Sequence, residues 1–172
     1  MRLFIVGYMG VGKSSLGKKL AIKLQIPFTD LDASIVEKAG KSIVEIFKAD
    51  GEQAFRQIEA EVVREVSRVG SAVIATGGGA PMHQGNMEFM LRQGLVIWLR
   101  MDEGMIVSRL EQKSQERPLV RGKSQEELHR FVKHHLAERE PTYAKAQIHI
   151  QAPLKNASAI DALVVTIQRY SR

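Results

Sequence analysis

Residues 7–14 read G-Y-M-G-V-G-K-S and satisfy the pattern G-x-x-x-x-G-K-[ST] at every specified position. The apolar run Leu3, Phe4, Ile5, Val6 comes before them, and a helical pattern of Leu16, Leu20 and Leu24 follows. Strand, tight loop and helix in that order are what a phosphate-binding loop requires. Gly7, Gly10 and Gly12 can take positive φ, which lets backbone N–H groups converge on phosphate oxygens beside the positive end of the next helix. The backbone of Gly10, Val11, Gly12, Lys13, Ser14 and Ser15 is therefore the expected nucleotide-binding segment. Lys13 supplies a point charge for the β- and γ-phosphates, and Ser14 offers a hydroxyl to Mg²⁺. The competing explanation is a chance glycine turn that opens a helix.

Short apolar strands alternate with amphipathic helices to the end of the chain, which implies an α/β fold around a parallel sheet. Pro27 to Asp32 reads as a short strand ending in two acids, and Ala72 to Thr76 and Leu95 to Leu99 as buried strands. Ile148 to Gln151 is a weak last strand. Ser42 to Glu45, Asp50 to Gln53 and Ser124 to Glu127 have the form of capping boxes and mark helix starts. Pro141 is expected to limit the last of these helices.

At 172 residues the length suits one domain. There are no cysteines, so neither disulfides nor a cysteine-built zinc site is available. The first strand begins almost at once, which leaves no room for a signal peptide, and no apolar stretch approaches membrane-spanning length. A cytoplasmic monomer is expected. The net charge of +6 admits a polyanion or small anionic ligands as partners. The longest basic run is Lys18 and Lys19, and aromatic residues make up only 6%, so the balance favours small acidic ligands over nucleic acid.

A phosphate loop does not by itself separate kinases from other nucleotide proteins. No Asn-Lys-x-Asp guanine signature occurs, and Asp102 reads better as a helix cap than as the acid of an ATP-driven machine. Asp30 and Asp32, two apart in a strand, would share a face at the sheet's C-terminal edge, where such sheets bind ligands. One acid could serve the Mg²⁺ water shell and the other an acceptor hydroxyl; the plain alternative is that one caps the next helix. Gly77, Gly78 and Gly79 follow another strand and let a ligand approach the backbone. Arg56 has acids one turn away on either side, Glu52 and Glu59, so a surface ion pair competes with a role as a carboxylate clamp. Arg139 continues the stripe of Leu128, Val132 and His135, and a guanidinium aimed inward needs an anion. Arg117, before Pro118, suits a lid over phosphates; Arg109 and Arg121 flank the same polar stretch. The histidines lack metal-like spacing.

In sequence order these pieces are G-Y-M-G-V-G-K-S, D-L-D, S-I-V-E-I-F with G-E-Q-A-F-R, T-G-G-G, R-P-L-V and R-E-P-T-Y. Together the set resembles the shikimate kinases, a branch of the nucleoside monophosphate kinase-like phosphate-loop folds, over nearly the whole chain. The resemblance implies a three-layer fold with a five-stranded parallel sheet, a small helical shikimate-binding region over about 32–60 and a lid over about 112–124. It implies transfer of the γ-phosphoryl of ATP to the 3-hydroxyl of shikimate, in the route to aromatic amino acids. Lys13 and Ser14 would serve ATP and one Mg²⁺, with Asp30 meeting the metal through water. Asp32 would bind the shikimate hydroxyls and act as the base candidate. Arg56 and Arg139 would hold the carboxylate, Gly78 and Gly79 would line the substrate, and Arg117 would close onto the phosphates. Arg109 and the segment near Asn156 match less clearly and carry no assignment. A kinase for another small acid such as gluconate, or a non-catalytic ATP sensor, is the alternative reading.

Overall fold

The apolar runs become strands buried on both faces, which requires helices above and below them. The computed structural model describes residues 1–68, 70–112, 122–154 and 156–170. Within these residues, β1 (Arg2–Val6), β2 (Phe28–Asp30), β3 (Ala72–Ala75), β4 (Leu95–Arg100) and β5 (Ile148–Gln151) form a parallel sheet of order β2-β3-β1-β4-β5. Helix α1 (Lys13–Leu24) follows β1, and α2 (Leu31–Ala39), α3 (Ile43–Ala49) and α4 (Gly51–Val66) lie between β2 and β3. Beyond β3 come α5 (Asn86–Gln93), α6 (Glu103–Glu111), α7 (Gln125–Tyr143) and α8 (Ala157–Tyr170). No helix among the described residues is long and apolar enough to cross a membrane.

The period-two alternation of the strands sorts the core into two layers. Leu3, Ile5, Val73, Ile97 and Leu99 pack with Leu16 and Leu20 of α1, Leu128 and Val132 of α7, and Leu163 and Ile167 of α8. Phe4, Val6, Ile74, Val96 and Trp98 point the other way, onto Ile35, Ile46, Phe55 and Val62 of α2–α4 and Met87 and Met90 of α5. This is the expected three-layer α/β architecture. From β1 the chain first builds outward to β2 and returns through β3, then crosses to β4 on the far side of β1. The crevice beyond the C-terminal ends of β1 and β3 lies at this change of direction, where open sheets of this kind take ligands.

Three local expectations are corrected. The segment Pro27 to Asp32 is not all strand: β2 stops at Asp30, and Asp32 stands in the first turn of α2. Asp30 is the N-cap and accepts the Asp32 N–H at 3.1 Å, so strand alternation is not what brings the two acids together. Asp50 to Gln53 is not a capping box. Asp50 closes α3 with αR backbone angles, away from the extended conformation a side-chain cap needs, and its carboxylate takes Lys41 Nζ at 3.1 Å. Finally, Pro141 does not stop α7, which runs two residues further to Tyr143 and closes with the Ala144 N–H on the Glu140 carbonyl at 2.8 Å. Pro141 has no N–H to give to the ladder, yet the helix continues past it to its closing bond. As a result Tyr143 stays on the helix, one turn beyond Arg139. The boxes at Ser42 and Ser124 are both complete.

Candidate active site

The phosphate loop opens directly from β1, and the geometry of its glycines is the expected one: φ is 141° at Gly7, 82° at Gly10 and 100° at Gly12. Gly7 has a second constraint, because a Cβ there would stand 2.4 Å from the Leu99 carbonyl oxygen. Lys13 is only 8% exposed, and its Nζ donates to the carbonyls of Gly7 and Tyr8 at 2.9 Å each. The ammonium is thereby held inside the curve of the loop. Ser14 Oγ donates to Asp30 Oδ2 at 2.6 Å. Asp30 therefore faces two ways, with one oxygen on the loop serine and the other on the backbone at the start of α2.

Loop and acids line one cleft of about 450 Å³, together with Met9, Thr76, Gly77, Gly78 and Arg109. Gly10, Gly12, Lys13, Ser14 and Ser15 all contribute to its wall, whereas Val11 turns its side chain into the core. Arg109, which had no assignment from sequence, donates to the carbonyls of Gly10 and Val11 at 3.2 and 3.3 Å. On its other side runs a groove of about 230 Å³ between Val11, Gly12 and Ser15 and the segment Ala152, Pro153, Leu154.

The glycine run after β3 forms the opposite wall, and each glycine makes room for a different group. A Cβ on Gly77 would lie 2.8 Å from Asp32 Oδ1 and 3.4 Å from Glu59 Oε1. On Gly78 it would lie 3.1 Å from the Met9 backbone nitrogen, and on Gly79 2.9 Å from Arg56 Nη1. The run thus brings the acids, the phosphate loop and the Arg56 guanidinium onto one strip of backbone.

Arg56 makes the helical ion pairs that competed with a binding role, to Glu52 Oε1 at 3.1 Å and Glu59 Oε2 at 2.9 Å. It is no surface pair, however: the Arg56 side chain is 15% exposed and that of Glu59 1%. Burial pushes the Glu59 carboxyl up, against the lowering effect of Arg56. Two acids gripping one guanidinium fix its direction, which a single exposed pair would not do.

Arg139 is half-buried on α7, with its guanidinium carbon 5.8 Å from the centre of the Tyr8 ring. Its charge also acts on Tyr143, drawing that hydroxyl down against the effect of burial, and the Tyr143 hydroxyl donates to the Gly78 carbonyl at 2.6 Å. Burial pushes the Tyr143 hydroxyl up to about 12, so it remains a donor. Glu59, Tyr143 and the contact of Tyr8 with His135 were not singled out from sequence. Their only sequence signal was position: Glu59 one turn beyond Arg56, Tyr143 at the end of R-E-P-T-Y. Arg117, Arg121 and most of the expected lid lie outside the described residues.

The model of the family described as "Shikimate kinase" matches residues 9–168. A shikimate kinase of Bacteroides fragilis is 41% identical over 98% of this chain and 95% of its own length. The chain belongs to the shikimate kinase family. Another shikimate kinase, from Geobacter sulfurreducens, is 39% identical over 96% of this chain and 89% of its own. Among solved structures, shikimate kinase from Bacteroides thetaiotaomicron superposes with a TM-score of 0.89 at 40% identity, covering 99% of this chain and 98% of that one. The Acinetobacter baumannii shikimate kinase, solved in complex with shikimate, gives a TM-score of 0.82 at 32% identity over 99% and 92% of the two chains. The cleft thus has the glycine-lined loop with Lys13 on one side and Gly77 and Gly78 on the other, with Arg56 beside Gly79 at the end of that strip.

Proposed function

We propose that this protein transfers the γ-phosphoryl of ATP to the 3-hydroxyl of shikimate in the cytoplasm, with the residues of the cleft in the following roles. The observation that carries the assignment is the glycine strip 77–79, which sets the acids and Arg56 directly against the phosphate loop. The loop backbone and Lys13 take the β- and γ-phosphates. The groove between Arg109 and Ala152–Leu154 takes the base of the nucleotide, with the guanidinium over one face. Shikimate lies over Gly78 and Gly79 within the region of about residues 32–60, its carboxylate on Arg56 and Arg139 and its ring hydroxyls on Asp32.

A hydroxyl and a carboxylate 2.6 Å apart, Ser14 Oγ and Asp30 Oδ2, form a hard oxygen pair of the kind that suits Mg²⁺, which is usually held by one or two carboxylates together with substrate phosphates and water. Ser14 and, through water, Asp30 would hold it, and when bound it neutralises charge on the phosphates. The remaining chemistry belongs to the chain. The 3-hydroxyl oxygen forms its bond to the γ-phosphorus while the bond to the β–γ bridging oxygen breaks, ADP departs, and the hydroxyl proton passes to Asp32. The transition state asks mainly for alignment and charge stabilisation. Lys13 supplies charge at the leaving oxygens, and Arg139 together with the Arg56–Glu59 pair fixes the acceptor. Arg117 would join the phosphates from the lid.

Arg139→Ala is expected to weaken shikimate binding by about 2 to 4 kcal/mol, the scale for leaving a desolvated charge without its partner. The affinity for ATP should barely change. Arg56→Ala should do the same to shikimate but also lower the melting temperature, because it strands the buried Glu59 carboxylate. Calorimetric titration of each ligand separately tests the reading. Equal losses for shikimate and ATP in Arg139→Ala would mean that the substitution only loosens the fold.

A further inference from the structure

The Tyr8 hydroxyl lies 2.8 Å from Nδ1 of His135, a contact that ties the second residue of the phosphate loop to the middle of α7. The two rings meet edge to face at 5.6 Å between centres, and Phe131 backs the imidazole at 4.9 Å. Tyr8 is 1% exposed, so its hydroxyl must find its partner inside the protein. Burial, and after it the charge of Arg139, push the His135 imidazole down, which favours the neutral ring that can accept at Nδ1.

The position of Tyr8 gives this contact its consequence. Its carbonyl and that of Gly7 are the two oxygens that hold Lys13 Nζ, each at 2.9 Å. Glycines at 7, 10 and 12 leave the loop backbone little intrinsic restraint, and the buried side chains of Tyr8 and Val11 anchor it from within. Only Tyr8 among those two can be held in direction by a hydrogen bond. One turn further along α7, Arg139 stands over the same Tyr8 ring. His135 itself does not line the nucleotide cleft.

We infer that His135 is a positioning residue for the phosphate loop: through the Tyr8 hydroxyl it fixes the carbonyls that orient Lys13, from the same helix that carries Arg139. The inference rests on the reading of the cleft as the ATP and shikimate site. Its effect should fall on turnover and not on acceptor binding, because the group being oriented acts on the transferring phosphoryl.

The experiment compares Tyr8→Phe, His135→Leu, their double variant and His135→Asn by steady-state kinetics with ATP and shikimate, with melting temperatures recorded beside them. Tyr8→Phe keeps the ring and its packing and removes only the hydroxyl; His135→Asn keeps an acceptor oxygen close to the place of Nδ1. Tyr8→Phe and His135→Leu should each lower kcat by about fivefold to thirtyfold, the scale of one oriented hydrogen bond. The KM for shikimate should stay within about twofold, the double variant should be no slower than the slower single one, and His135→Asn should recover most of the loss. If His135→Leu does not fold, Tyr8→Phe and His135→Asn decide the matter alone. A wild-type kcat in Tyr8→Phe, or losses that multiply in the double variant, would overturn the proposal. An unsubstituted protein that releases no ADP in response to shikimate would instead overturn the reading of the site beneath it.

Discussion

Lys13→Met lowers kcat by about 10³-fold, the scale for removing a preorganised charge from a phosphoryl-transfer or oxyanion site, while the protein stays folded. Methionine keeps most of the aliphatic stem, so the buried part of the side chain is preserved and only the ammonium is lost. The two carbonyls it leaves, those of Gly7 and Tyr8, belong to a loop that borders the cleft, where water can replace the lost donor. The stability cost should accordingly be about 1 kcal/mol per hydrogen bond, visible as a small fall in melting temperature. Because the ammonium acts most strongly as charge moves toward the leaving oxygens, kcat should suffer more than the KM for ATP. Kinetics and a thermal melt on the same preparation check both parts. A folded Lys13→Met protein with near-normal turnover would remove the loop from the chemistry.

Asp32→Asn is the second large effect: kcat falls by about 10²- to 10⁴-fold, the range for lost general-base help, and MgATP still binds. A largely dissociative transition state places the expected loss at the lower end. Asp30→Asn should differ in kind. Its oxygens accept from the Ser14 hydroxyl and from the Asp32 N–H, so the substitution turns one acceptor into a donor beside a hydroxyl and should shift the Mg²⁺ dependence of the rate. Rates measured across Mg²⁺ and shikimate concentrations separate the two roles. Should Asp32→Asn change only the Mg²⁺ dependence and Asp30→Asn only the acceptor step, the roles are reversed.

The phosphate loop was legible because its chemistry is written in backbone geometry: three residues at positive φ must be glycine or pay in strain, and the spacing of Gly7, Gly10 and Gly12 records that demand. The buried strands were legible for a related reason, since an apolar run such as Leu95 to Leu99 can be satisfied only by cover on both faces. The relation between Asp30 and Asp32 was misread because a three-residue strand and the first turn of a helix both fit D-L-D, and only the cap hydrogen bond decides between them. Arg56 and Glu59 look in sequence like an ordinary helical pair. What distinguishes them is Gly79 and Gly77, some twenty residues away, whose missing side chains leave the space their polar groups fill. Tyr143 was hidden behind Pro141, a residue that usually ends a helix but lies inside this one. His135 could be placed on the inner face of its helix, yet its partner lies in the phosphate loop, 127 residues away in the chain. Long-range pairings of this kind leave no periodic trace.

The central claim is that one cleft joins ATP to a cyclic hydroxy acid through the walls described. A coupled assay of ADP release tests it most directly, run with shikimate, with gluconate and with no acceptor, on the unsubstituted protein and on Arg139→Ala. The account predicts rapid release with shikimate alone, and a raised KM for shikimate in Arg139→Ala. ADP release that is the same with or without shikimate, or that responds to gluconate instead, would contradict it.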